Sequence, residues 1–290
     1  MTTYAPGIHP DVPEAEYHSH PALSASQMKK LLPPYVPAIF KHERDHGQPN
    51  KPVFNFGRAA HAELLGIGSE MVVVQKVARD KTVVDAGDYD TKSAQQHADE
   101  ILAEGKTPIL RHEVEVIKQM VAAVRADPLA SKLLAPADGT PEASMFWNDP
   151  ETGVALRGRL DFLRRPNADG RLLLPDYKTA ASCDPREFAL ASARYGYPIS
   201  AANYIDGLTA LEYADEIEFL FVVQMKTAPY LVSVVGITPD DLKRGRALKR
   251  KAVHTFQTCT ERDEWPGYSQ EVHYPDLPTW WQYQTQEIVA

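Results

Sequence analysis

Two aspartates and a lysine recur within 18 residues of one another: Leu156-Arg-Gly-Arg-Leu-Asp161-Phe-Leu, then Leu172-Leu-Leu-Pro-Asp176-Tyr-Lys178-Thr. Oxygen ligands at this density favour a hard cation such as Mg²⁺ or Mn²⁺. Such a cation polarises a phosphate and lowers the pKa of a bound water. A neighbouring lysine stabilises the developing charge or orients the nucleophile. The chemistry that needs this set is metal-dependent phosphodiester hydrolysis. The competing interpretation is a surface hairpin whose Asp and Lys form only a cross-strand ion pair.

The elements that must position these groups are two strands and a turn. In the first segment Arg157, Arg159 and Asp161 alternate with Leu156, Gly158, Leu160 and Phe162, the period of a strand. Arg165-Pro-Asn-Ala-Asp-Gly170 supplies turn formers. A turn centred on Ala168 and Asp169 sets Asp161 directly opposite Asp176, with Cβ atoms about 4.5–5.5 Å apart. Like charges at that separation repel, and a bridging cation removes the penalty. Lys178 shares the face of Asp176, while Tyr177 points to the other.

Gly158-Arg-Leu-Asp161 followed by Asp176-Tyr-Lys178-Thr resembles the catalytic core of the PD-(D/E)xK nuclease superfamily. Upstream, Phe54-Asn-Phe-Gly57-Arg-Ala-Ala-His61-Ala-Glu-Leu-Leu resembles the histidine-bearing helix of its RecB-like branch. Leu23-Ser-Ala-Ser26-Gln-Met-Lys-Lys-Leu-Leu resembles the start of phage and prophage exonucleases of the exonuclease VIII (RecE) type. The resemblance spans roughly residues 17–210, and its specificity lies in the order and spacing of the motifs.

The resemblance implies that Asp161 and Asp176 are metal ligands, with the Tyr177 carbonyl as a further one. It makes Lys178 the catalytic lysine and His61 a ligand or near-metal residue. Relatives carry a Gln a few residues before a Tyr in the following helix. Here Ser200 stands at the Gln position, with Asn203 as a partial substitute and Tyr204 as the Tyr. Ser200 and Tyr204 are thus the helix positions expected at DNA. The implied activity is a Mg²⁺-dependent exonuclease on double-stranded DNA ends, acting in phage-type recombination or resection. A ring-shaped homo-oligomer and a single-strand annealing partner come with it.

Other residues weigh less. The remaining nine of the ten histidines show no paired ligand spacing. Glu142 stands at a strand start, where an exposed acid is the plainer expectation and a further site acid the sharper one. The net charge of -8 does not exclude a DNA binder, because a local patch can carry the contacts. Lys243-Arg-Gly-Arg-Ala-Leu-Lys-Arg-Lys251 follows a helix start capped by Thr238. Its charges spread around the helix, so a solvated face competes with a phosphate track. Arg157 and Arg159 are the better expected contacts to the scissile strand.

The fold expected is α/β, a central mixed sheet flanked by helices with the site at one end of a strand hairpin. Strands are expected near 71–76, 142–148, 154–164, 171–178, 217–224 and 230–238. Helices are expected at 54–66, 111–126, 185–195, 200–213 and after Thr238. Residues 1–50 form an N-terminal extension, irregular up to 22 and then a short helix capped by Ser24 or Ser26. Residues 51–260 form the nuclease domain, and 261–290 an irregular tail. The two cysteines, Cys183 and Cys259, match no zinc or iron–sulfur spacing and suit a reducing cytoplasm, which the resemblance to phage exonucleases implies is that of a bacterial host cell. There is no apolar run of about 18 residues and no signal-peptide pattern after Met1, so no membrane partner is expected.

Overall fold

The computed structural model describes residues 4–47 and 52–289. Residues 1–3, where the N-terminal pattern begins, and 48–51, where the expected boundary after residue 50 falls, lie outside the described residues.

The chain opens with β1 (Gly7–His9), α1 (Glu14–Ser19), β2 (Leu23–Ser24), α2 (Ala25–Lys29), α3 (Pro37–His46) and α4 (Pro52–Leu65). Three short strands and a helix follow: β3 (Met71–Val73), β4 (Gln75–Val77), β5 (Val83–Asp85) and α5 (Lys92–Ala103), with β6 (Thr107–Ile109) closing this part. Next come α6 (Arg111–Ala126), α7 (Ala130–Leu133), β7 (Gly139–Asn148), β8 (Ala155–Arg164) and β9 (Arg171–Ala180). The last third holds α8 (Pro185–Tyr195), α9 (Tyr197–Ala210), β10 (Glu216–Met225), β11 (Val232–Gly236), α10 (Pro239–Arg262) and α11 (Thr279–Val289).

Local chemistry sets several boundaries. Ser24 caps α2 through a capping box with Gln27. Thr238 Oγ1 accepts from Asp241 N at the start of α10, as its position before an acidic first turn predicts. Gly196, at φ 62°, ends α8 and turns the chain directly into α9. In α6 Ile117, Met120, Val121 and Val124 are all buried, the helical stripe that their spacing demands.

The strands form two large ladders, besides the short pairs β3–β6 and β4–β5. One has the order β1-β7-β8-β2 and the other β11-β10-β9. β9 and β10 pair in parallel over their full length, from Arg171↔Glu216 to Ala180↔Met225. A parallel pair needs a crossover, which α8 and α9 supply. Side chains of α2, α9 and α10 pack on one face of the strands, with Leu23, Met28, Leu160, Ile205, Phe219 and Val253 in that core. Side chains of α4, α6 and α7 pack on the other, around Ala60, Ile117, Phe162, Tyr177 and Val222. The result is a mixed sheet flanked by helices on both faces.

The hairpin register departs from expectation. The turn is present, with Asn167 N donating to Arg171 O at 2.8 Å and Gly170 N to Asn167 O at 3.0 Å. Beyond it β8 and β9 form no backbone ladder, and Asp161 is not paired with Asp176. The physical reason is at the junction. Tyr177 N donates to Asp161 Oδ2 at 2.7 Å, so a carboxylate takes the N–H that a ladder would use. Pro175 has no N–H to offer. The regular ladder of β8 is with β7, where Pro141↔Phe162 and Ala143↔Leu160 bracket Asp161 and set Glu142 across from it.

Two further expectations are corrected. The segment before residue 22 is not wholly irregular, since Gly7–His9 pairs with β7 and Glu14–Ser19 is helical. The segment after residue 260 contains a helix, Thr279–Val289, rather than only irregular chain. Among the described residues no helix is long and apolar enough to cross a membrane.

Candidate active site

Three elements converge at the seam between the ladders. β8 carries Asp161, β9 carries Asp176 and Lys178, and α4 brings His61 down onto them. Lys178 Nζ stands 3.6 Å from Asp161 Oδ2 and forms a close ion pair with Asp176. His61 Nδ1 is 3.8 Å from Asp161 Oδ2, and its ring lies against Tyr177 with centroids 4.9 Å apart. Lys178 Nζ also donates to the Tyr177 carbonyl at 3.3 Å. All of the expected set, Asp161, Asp176, Tyr177, Lys178 and His61, is therefore gathered in one place.

The expectation for Glu142 as a plain exposed acid does not hold. Glu142 is half-buried, and together with His61 and Asp161 it offers ligand atoms all within 4.8 Å of one another. Its carboxylate has no hydrogen bond or ion pair among the described residues. Its φ is 50°, a left-handed conformation inside a strand that L-residues rarely adopt. The signal for it was present in the sequence: the β7–β8 turn at Asn148-Asp-Pro-Glu-Thr-Gly153 pairs Asn148 with Ala155. Counting back from that pair reaches Glu142 opposite Asp161.

The electrostatics follow from burial. Burial, with Asp161 adding repulsion, pushes the Glu142 carboxyl up to about 8. Burial also raises the Asp176 carboxyl, to about 6, against the pull of Lys178. Burial opposes the Lys178 charge, but Asp161 and Asp176 outweigh it and hold the ammonium protonated above its usual range. Burial holds the His61 imidazole below its usual range, which leaves a neutral ring with a free lone pair. Glu142, with no ion pair among the described residues, thus stands beside Asp161 and the His61 imidazole with donor atoms to spare. The chemistry of these donors, carboxylate oxygens with one nitrogen, fits a hard divalent cation.

A buried network holds β9 in place behind the site. Tyr177 donates its hydroxyl to Gln224 on β10, and Gln224 Nε2 donates to Met120 O of α6 at 2.7 Å. This fixes the ring that His61 rests on. Gln224 carries no sequence signal of its own, because Tyr177 and Met120 come from distant segments.

The other expected contacts fare differently. Arg157 is 2% exposed, donates to His18 O and lies 4.7 Å from the Tyr17 ring centroid. It is thus removed from contact with a strand, which corrects the expectation for it. Burying the guanidinium under α1 secures the N-terminal segment to the sheet. Arg159 donates to Ser144 Oγ and Val12 O and also packs on Tyr17, but it lines the cleft. Tyr204 lines the cleft too, its phenol held well above its usual range by burial. Ser200 is half-buried on α9. Asn203 points into the fold, donating to Arg157 O at 3.2 Å. The cations of α10 are largely consumed: Arg246 and Lys249 pair with Asp206, and Arg250 with Asp149.

The cleft over the site has a volume of about 780 Å³ and is bounded by α1, α4 and the turn around Gly68. His61, Glu142 and Asp161 form its floor. A nucleotide-sized group fits in that space.

The chain belongs to the family described as a PDDEXK-like domain of unknown function (DUF3799), whose model matches residues 24–278. No curated protein matches it. Among solved structures, a candidate exonuclease from Eubacterium rectale aligns with a TM-score of 0.61 at 12% identity, covering 94% of this chain and 95% of that one. At this identity the likeness is one of fold. A phage-related exonuclease from Haemophilus somnus 129PT aligns at 11% identity over 84% of this chain and 97% of that one, with a TM-score of 0.31.

Proposed function

We propose that the protein is a metal-dependent deoxyribonuclease that degrades double-stranded DNA from its ends. The observation that carries this reading is the grouping of His61, Glu142 and Asp161 within 4.8 Å, with the Asp176–Lys178 pair against it. Membership of a PDDEXK-like family supports it.

His61, Glu142 and Asp161 would hold the cation, Mg²⁺ or Mn²⁺, with Asp176 and the Tyr177 carbonyl adjoining. The cation would supply Lewis acidity at the phosphate and a more acidic water. Lys178, kept protonated, neutralises charge that builds on the phosphate oxygens. Asp176 holds that ammonium in position. Asp161 does double duty, since it also accepts from Tyr177 N and so ties the ligand to the β8–β9 seam. Arg159 and Tyr204 line the path of the bound strand.

The same reading makes the protein a ring-shaped homo-oligomer in the bacterial cytoplasm that passes a single strand to an annealing protein in recombination. Light scattering on the purified chain checks the ring.

End-labelled linear duplex and closed circular DNA, each with Mg²⁺ or EDTA, test the reading on wild type and Lys178→Ala. Loss of linear DNA alone, dependent on Mg²⁺ and absent in the variant, is the expected result. Cleavage of the circle would make it an endonuclease. Binding without any metal-dependent product would reduce it to a DNA-binding module.

A further inference from the structure

Lys29 is the last residue of α2, one turn beyond Ser26, which lines the cleft. Its stem packs over the backbone of Gly196, and its Nζ lies 5.5 Å from the centroid of the Tyr197 ring. Lys178 Nζ lies 5.8 Å from the same centroid. One aromatic ring thus gathers two ammonium groups at the site.

The two lysines differ in what answers their charge. Lys178 has Asp161 and Asp176. Lys29 has no hydrogen bond or ion pair among the described residues, and only the ring faces it. Asp176, the nearest acid to act on it, is already paired with Lys178. The Lys29 ammonium is half-buried and open to solvent on one side, so an acceptor from outside can reach it. The anion that the proposed reaction delivers beside Lys178 is phosphate.

We propose that Lys29 is a substrate-positioning residue whose ammonium takes a phosphate oxygen of the bound DNA strand next to the group held by Lys178. This rests on the nuclease reading. α2 packs against α9, where Tyr197 stands, and so carries a second cation to the site from a segment remote in sequence. Burial, and next Lys178, push the Lys29 ammonium down to about 8, in keeping with a charge that lacks its counter-ion.

The test is duplex binding in EDTA, where metal-dependent cleavage does not consume the probe, across a salt series. Lys29→Met keeps the stem on Gly196 and Tyr197 and removes the charge. The expected result is affinity lowered about 5- to 10-fold at low salt, with the slope of log affinity against log salt smaller by about 1. Lys29→Arg should restore most of the affinity. The thermal midpoint of Lys29→Met should stay close to that of wild type, because no hydrogen bond or ion pair within the described residues is removed. Unchanged affinity and slope would overturn the proposal, as would a loss of affinity that Lys29→Arg does not rescue. Wild type that binds no duplex, in EDTA or in Ca²⁺, and cleaves none in Mg²⁺ would bring down the nuclease reading itself. Wild type that binds and cleaves while Lys29→Met matches it in both would remove Lys29 alone.

Discussion

Glu142 shows how a single residue can be strained for a purpose. A non-glycine residue at φ 50° costs about 1–3 kcal/mol, and strain of this kind gathers at functional sites. Here the left-handed backbone carries a carboxylate that faces Asp161 and has no hydrogen bond or ion pair among the described residues. Glu142→Gly relieves both the backbone and the buried acid, so the metal-free protein should gain about 1 kcal/mol in urea unfolding. Glu142→Ala keeps the strained φ and should gain less. Both should lose the Mg²⁺-induced rise in thermal midpoint that is expected of wild type. A Glu142→Gly protein that is less stable than wild type without metal would mean that the left-handed turn is not strained.

At the scale of elements, the site depends on close approaches that only small residues permit. A Cβ on Gly245 of α10 would stand 2.2 Å from the Pro198 carbonyl oxygen of α9. Gly245→Ala must therefore push α10 off α9, at a cost of about 1–3 kcal/mol by overpacking. Because α9 also carries Tyr204 into the cleft, cleavage should fall along with the urea midpoint. Gly158 plays the same part beneath α9, where a Cβ would meet Met145 and the Tyr204 ring. The cations of α10 test a different point. Lys249 is buried against Asp206 at 2.7 Å. Lys249→Met should cost about 1 kcal/mol of stability, because Arg246 still answers the half-buried Asp206. Duplex affinity should stay at the wild-type value, whereas a phosphate track on this helix would require it to drop.

For the whole molecule, the ligand set joins segments far apart in sequence: His61 from α4, Glu142 and Asp161 from β7 and β8. A cation bound by all three binds the folded state alone, so it stabilises by mass action. The gain is about 2.7 kcal/mol at a concentration 100 times the dissociation constant. Mg²⁺ or Mn²⁺ should raise the thermal midpoint in a concentration-dependent way, and EDTA should reverse it. Asp161→Asn should respond little to either ion. A midpoint indifferent to both ions in wild type would leave the His61, Glu142 and Asp161 group without a metal.

Much of this was legible in the chain before any fold. Leucine–arginine alternation marked β8, the Pro-Asn-Ala-Asp-Gly run marked its turn, and the helical stripe of 111–126 placed α6. These are local signals, carried by side-chain periodicity and turn chemistry within a dozen residues. The motifs around His61, Asp161, Asp176 and Lys178 pointed to residues that the fold gathers, because each sits inside such a local element. What the tertiary structure decided is which edges meet. Whether β9 bonds to β8 or to β10 depends on which partner satisfies its backbone groups. Asp161 settled that by taking the Tyr177 N–H, which moved the facing acid from Asp176 to Glu142. The fate of Arg157 and of the α10 cations was likewise invisible, since burial and ion pairing depend on segments that periodicity cannot bring together. Lys29 and Gln224 belong to the same class: their meaning comes from neighbours that only the folded chain supplies.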